Sequence, residues 1–245
     1  MLLSHKRMFF LEKKQVQTEL AGYIGRTLRE NFGKGPESVF VSYNHSVMTI
    51  YLRNFMSPSE MVLLGQHQEI MIQTTRDLLM QILIPEFKAY IKILTGMEVN
   101  EFYYDWGLHN KSGLFVCIGS STTSAESENE NDKTYMFHGK ETLHQEINKI
   151  SLQAEKTPEE VLSYLLNERT LVVIRNGILV PIEKELIRLG NFEALRLAKR
   201  NLEKRLLHNS GNFESILQTK VNDIFVDWDF YRDKSVIVLI LSPTA

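Results

Sequence analysis

A single cysteine among 245 residues leaves no partner for an intramolecular disulfide and rules out an all-cysteine metal site. That usage fits a reducing, cytoplasmic compartment. Cys117 lies inside an apolar strand-like run, which reads as a core position rather than a nucleophile. Long hydrophobic runs are also missing. No stretch reaches the roughly 18 apolar residues that a membrane-crossing helix requires. The opening MLLSHKRMFFLEKK is broken by charges every few residues and has no small-residue cleavage site, so it is not read as a signal peptide. Excess charge of either sign is absent. The formal net charge is −2 and the pI is near 6.4, which gives no global reason to expect a nucleic-acid partner. Metal-ligand spacings are lacking too: there is no HExxH, and His138 and His144 are separated by a distance that neither helix nor strand turns into a metal pair. No metal and no cofactor are expected.

Tryptophan is scarce, and its placement is the most informative feature present. The octet VNEFYYDW at Val99 to Trp106 returns as VNDIFVDW at Val221 to Trp228, an offset of 221 − 99 = 122, and both tryptophans of the chain sit in it. The same offset lays Gly113 to Ile118 on Ser235 to Ile240 and Pro36-Glu37 on Pro158-Glu159. The chain is read as two copies of one unit. The segment Gly119 to Asp132 is polar and free of large apolar residues, as a solvated linker would be. The expected division is residues 1–118, a linker over 119–135, and residues 136–245.

Periodicity supplies the elements. In the first copy, apolar residues from Phe9 to Leu28 recur at helical spacing, and Gly33-Lys34-Gly35-Pro36 ends that helix. Two β-branched runs flanking Asn44-His45-Ser46 predict a hairpin. Ser57-Pro58-Ser59-Glu60 combines a cap serine, a first-turn proline and an acid three residues on, which starts a second helix. That helix carries Leu64, Met71, Leu78 and Ile82 on one stripe, and Pro85 is expected to kink or break it. Gly96 serves as its C-cap, and the octet with Gly113 to Ile118 forms a second hairpin. The second copy repeats the order, with one long helix from about Ile182 to His208 and Asn209-Ser210-Gly211-Asn212 where the first has Pro85. The two breakers suggest that the interruption belongs to the fold. Each unit is therefore an α+β assembly, α-β-β-α-β-β, with helices on a mainly antiparallel sheet. The acids at Glu101, Asp105, Asp223 and Asp227 follow a period of two and share one sheet face.

The pattern GxGPxxV, then SPxE before a long helix with a central proline, then TGxxV and a strand pair, resembles the MpsC-like family. These are small bacterial proteins linked to a membrane-potential-generating system. The first copy carries it in Gly33, Gly35, Pro36, Val39, Pro58, Glu60, Arg76, Pro85, Thr95, Gly96 and Val99, over about residues 12–118. The second, divergent copy keeps Pro158, Glu159, Val161, Pro181, Glu183 and Val221. The resemblance implies a soluble accessory to a membrane ion- or bicarbonate-handling system.

Few residues suggest chemistry. Asp105 and Asp227 precede the tryptophans, and a carboxylate beside an indole could have a raised pKa suited to acid–base work. Strand-end aspartates facing solvent or capping are the preferred reading, with both tryptophans between helix and sheet. His109, matched by Tyr231 in the second copy, reads as an exposed turn residue. The one concentrated charge lies on the long helix of the second copy. Arg196, Arg200 and Lys204 recur every four residues, Lys199 lies beside them, and together they are the candidate anion- or partner-binding residues. A plain solvated face is the competing reading.

These features predict a non-enzymatic, cytoplasmic, partner-binding protein, with attachment at the inner face of the membrane as a further expectation. The expected partner is a membrane-associated protein. The two copies would form a pseudo-dimer within one chain, open to further homo-oligomerisation. The alternatives are a small-anion or metabolite sensor binding in the cleft between the units, and a hydrolase or isomerase built on Asp105 or Asp227.

Overall fold

The computed structural model describes residues 2–44, 46–121 and 136–242, and the chain divides into two units between residues 125 and 126. Unit one runs α1 (Leu2–Phe32), β1 (Ser38–Tyr43), β2 (Val47–Arg53), α2 (Pro58–Gly65), α3 (Glu69–Thr95), β3 (Met97–Gly107) and β4 (Ser112–Ser121). Unit two runs α4 (Lys140–Ala154), β5 (Glu160–Asn167), β6 (Thr170–Asn176), α5 (Pro181–Arg188), α6 (Phe192–Ser210), α7 (Phe213–Leu217), β7 (Val221–Asp229) and β8 (Lys234–Leu241). The sheets have the same strand order, β1-β2-β4-β3 and β5-β6-β8-β7, with every pairing antiparallel. This is the duplicated α+β fold that the repeat predicts.

Backbone geometry repeats even where side chains do not. Left-handed positions at Asn54, His67, Gly96 and Lys111 recur at Gly177, Gly190, Gln218 and Asp233, with offsets of 123, 123, 122 and 122. Only glycine enters that region freely, so four shared positions filled by different residue types mean that the turns are imposed by the fold. The β-bulge at Asn100 in β3 also recurs at Asn222 in β7. The offset becomes 123 because the β5–β6 hairpin holds one residue more than its counterpart. It returns to 122 because the span Phe192–Leu217, from the start of α6 to the end of α7, is one residue shorter than α3.

Local chemistry fixes the elements. The side chain of Asn44 accepts the N–H groups of Ser46 and Val47 at 3.1 and 2.8 Å, tying down the β1–β2 turn. Ser57 and Glu60 form the expected capping box: the Glu60 N–H donates to the Ser57 hydroxyl, and the Ser57 N–H donates to the Glu60 carboxylate. At the start of α5, Val180 has no side-chain acceptor, and only the Glu183 half of the box survives, at 3.0 Å.

Three helix expectations are corrected. The helix from Pro58 is two helices, because the chain closes on itself with Gln68 N–H bonded to Leu63 O at 2.9 Å. Asn191 N–H to Leu186 O repeats this closure in unit two, also at 2.9 Å, and splits the expected helix over 182–208. Second, α3 is continuous through Pro85 to Gly96. Pro85 and Gln81 lie on the exposed side, where the carbonyl left without its i+4 donor can be solvated. The interruption at Gly211 therefore belongs to unit two alone. Third, the stripe of Met71, Leu78 and Ile82 faces outward. The buried side of α3 is instead Ile72, Arg76, Met80, Leu83, Phe87 and Ile91, rotated by about one residue.

The linker expectation is also modified. Gly119, Ser120 and Ser121 belong to β4, paired with Val99, Glu98 and Met97, and residues 122–132 lie outside the described residues.

Candidate functional site

Each unit buries a cation against its tryptophan. In unit one Arg76 comes from α3 with its side chain 1% exposed. Its Nε and one Nη donate to the two oxygens of Glu60 at 2.7 and 2.9 Å, and that Nη also donates to the Phe55 carbonyl at 3.0 Å. The guanidinium lies 4.6 Å from the Trp106 ring centroid and 4.7 Å from that of Phe55. Glu60 thus does two jobs, capping α2 and holding the charge that α3 brings inward. Burial alone would raise its pKa, but the Arg76 bonds and the Ser57 N–H outweigh this and hold it below the usual carboxylate value.

Unit two rebuilds this centre with different residues. Glu183 and Lys199 stand at the places of Glu60 and Arg76, 183 − 60 = 199 − 76 = 123, and Lys199 donates to Glu183 at 2.9 Å. Lys199 sits 5.8 Å from the Trp228 ring centroid and also bonds Glu155, the residue that ends α4. Around this core unit two adds charge. Arg175 donates to Glu203 at 2.5 Å, to Ser235 at 2.7 Å and to Ser151 at 2.9 Å, and the Trp228 indole N–H donates to Glu203 at 2.9 Å. Arg175 and Glu203 occupy the positions of Leu52 and Met80, both fully buried in unit one. Ser235 replaces Gly113, where a Cβ would lie 2.6 Å from the Trp106 ring. Two apolar core positions of one unit hold a buried ion pair in the other.

This cluster joins two cations, Arg175 and Lys199, to three carboxylates, Glu155, Glu183 and Glu203. Desolvation, followed by repulsion from Glu203, pushes Glu155 up to about 7 against the opposing pull of Lys199. The shift follows because an uncompensated buried charge is expensive.

The predicted basic stripe is not a surface feature at two of its four positions. Lys199 and Arg200 are 3% and 1% exposed. Arg196 is half-buried, bonded to the Trp228 carbonyl at 3.1 Å and paired with Asp227 at 3.6 Å, while Lys204 is half-buried and Arg205 exposed. The four-residue spacing was real, but carboxylates stand on the inward side to receive the charge. Asp105 and Asp227 do not face solvent either. Both are buried, and Asp105 accepts the N–H of Trp106 at 2.8 Å. The tryptophans do pack in the cores between helix and sheet. His109 is exposed in the β3–β4 turn, as expected. His138 is exposed, while His144 shares a 2.7 Å hydrogen bond with the buried Ser163, so α4 is pinned to β5 and the two histidines are not brought together as ligands. Cys117 is fully buried, and desolvation pushes its thiol upward, which leaves it unreactive.

The pairing of Glu60 with Arg76 escaped the sequence reading. A signal did exist, because an acid and a cation sixteen residues apart recur at 183 and 199. Arg175, Glu155 and Glu203 had no such signal, since the first copy has no counterpart to them.

Among the described residues, no group of three or more histidine, cysteine, aspartate or glutamate side chains could hold a metal ion, and no helix is long and apolar enough to cross a membrane. These features define a duplicated α+β protein whose two halves each enclose a buried cation–carboxylate–indole centre. The chain belongs to the MpsC family. The family model, described as Na+-translocating membrane potential-generating system (MpsC), matches twice, over residues 12–120 and 139–243. Neither the curated proteins nor the solved structures contain a match to the chain.

Proposed function

We propose that this protein is a non-enzymatic binding component, acting from the cytoplasm on a membrane-associated protein of an ion- or bicarbonate-handling system. The observation that carries this reading is that the strongest polar constellation in each unit is buried inside that unit. Arg76 gives its Nε and one Nη to Glu60 and Phe55 O, its other Nη being buried without a partner among the described residues, and Lys199 donates to Glu155 and Glu183, all inside the unit. Such centres rigidify a fold and present nothing to a substrate, whereas a catalytic group has to reach the reacting atom. Asp105 and Asp227, the acids that an enzyme reading would use, are buried as well. A binding role through the outer surface accords with these buried centres, and the family's link to Na+ translocation supplies the direction.

The test is cross-linking in the native cell, purification of the tagged full chain from membrane and soluble fractions, and identification of what co-purifies. Enrichment of an integral membrane protein of an ion-translocating complex supports the reading. Recovery of the chain without any membrane protein at native abundance counts against it.

A further inference from the structure

Unit two puts a carboxylate where unit one has no side chain. Gly33-Lys34-Gly35-Pro36, which stops α1, lies at an offset of 122 from Glu155-Lys156-Thr157-Pro158, which stops α4. Gly33 ends its helix in the left-handed conformation and is exposed. Glu155 instead turns its side chain inward onto Lys199, leaving it 10% exposed. Like Arg175 and Glu203, which stand in place of Leu52 and Met80, Glu155 is therefore a charge that the fold itself does not require.

The addition gives the cluster three carboxylates against two cations. The charges acting on Glu155 are Glu203 and Lys199 from α6 and Glu183 from α5. Lys199 is divided among all three acids: it bonds Glu155 and Glu183 and lies 3.8 Å from Glu203. Arg175 from β6 meets Glu203 and gives its other donors to Ser235 and Ser151. Beyond them Lys156 pairs with Glu159 at 3.5 Å, and Arg196 with Asp227 of β7 at 3.6 Å. Desolvation and the neighbouring acids make an ionised Glu155 costly here, and its carboxyl is pushed up to about 7. Glu155 is also the acid placed to leave. Glu183 is tied to the Val180 N–H in the first turn of α5, and Glu203 is held mid-helix by Arg175 and the Trp228 indole. Glu155 follows the last residue of α4, its side chain bonds Lys199, and Leu152, Gln153 and Thr157 around it are exposed. Buried Ser151 and Pro158 bound the segment. Helix ends open at little cost, and unwinding this one carries Glu155 into water while leaving Glu183 and Glu203 to balance Lys199 and Arg175.

We propose that the end of α4, residues 152–157, is a pH-sensitive latch: protonated Glu155 keeps it closed on Lys199, and loss of that proton releases it to solvent. The latch is a property of the isolated chain, so it goes beyond the partner-binding reading and does not rest on it. Once released, the carboxyl returns to its ordinary value of 4.5, so the opening constant should climb between about pH 4.5 and about pH 7 and level off above. His144, on the same helix, works in the other direction. Burial and Lys140, against the opposing pull of Glu141, hold its pKa below 6.5, so charging it in acid loosens α4 at the contact with Ser163.

The test is hydrogen exchange of the full chain, followed by mass spectrometry from about pH 5 to about pH 8, with each rate referred to the intrinsic rate at that pH. Protection of peptides within residues 151–158 should fall at least ~10-fold over this range, while the end of α1, residues 28–36, stays unchanged. Glu155→Gln holds the uncharged form and should stay protected, with no dependence on pH. Glu155→Gly installs the residue that ends the helix in unit one and should also give a flat profile, which preserves the test should the glutamine variant fail to fold. A flat profile in the wild-type chain overturns the proposal. So does the same fall in both variants, which would assign the titration to another group. An equal fall across β5 and β6, residues 160–176, would mean that the whole of unit two opens and would likewise overturn the latch.

Discussion

Removing the Arg76 guanidinium tests whether the buried centre holds unit one together. Arg76→Met keeps most of the side-chain volume but deletes two bonds to Glu60, one to Phe55 O and the stacking against Trp106. Glu60 is then left desolvated and without its cation, a situation that typically costs about 3–5 kcal/mol. Adding Glu60→Gln removes the orphaned charge while leaving an oxygen for the Ser57 N–H. The double variant should therefore lie only about 1–2 kcal/mol below wild type, about 2–3 kcal/mol more stable than Arg76→Met alone. Each unit contains one tryptophan, so urea unfolding followed by fluorescence in a Trp228→Phe background reports on Trp106 and unit one alone. A parallel Arg76→Lys variant installs the residue unit two uses, keeps one ion pair and loses the fork, and should fall between the two. If Arg76→Met costs less than about 1 kcal/mol, or if the double variant costs the sum of the singles, the pair is not coupled and the reasoning fails.

Three further outcomes are expected. Because Arg175 and Glu203 replace Leu52 and Met80, Arg175→Leu alone should destabilise unit two by about 3–5 kcal/mol, while Arg175→Leu/Glu203→Met should be neutral or stabilising by up to about 4 kcal/mol; a double variant as unstable as the single, by Trp228 fluorescence, would count against this. Glu60 and Glu155 should respond to pH with opposite signs. Glu60 is lowered in the folded state, so its contribution is present above about pH 4.5 and is lost as pH falls through its lower folded value; Glu155 is raised from 4.5 to about 7, so unit two loses stability as pH rises from about 4.5 to about 7. Glu155→Gln should remove the second trend, and an unchanged slope in Trp228-monitored melts would refute the assignment. Gly113→Ala drives a Cβ into the Trp106 ring and should cost about 1–3 kcal/mol, whereas Ser235→Ala, with a Cβ already accommodated, should not overpack; equal melting shifts of the kind that overpacking produces in both would contradict the geometry.

The sequence by itself determined the duplication, the α+β class and the placement of the tryptophans. Those depend on periodicity and on a repeated octet, which are local patterns that survive without coordinates. Turn chemistry was legible for the same reason: Asn44, Ser57, Glu60 and Gly96 act on backbone groups a few residues away. What only the tertiary structure decided was which side of each helix faces inward. On α3 a rotation of one residue exchanges Met71, Leu78 and Ile82 for Ile72, Arg76 and Met80, and periodicity read around a helix rich in apolar residues does not distinguish the two. On α6 the same ambiguity made buried cations look like a surface stripe. A charged side chain is stable inside only where opposite charge is brought to meet it. Glu155, Glu183, Glu203 and Asp227 come from four separate elements whose convergence on Arg175, Arg196 and Lys199 is a property of the fold and not of any segment.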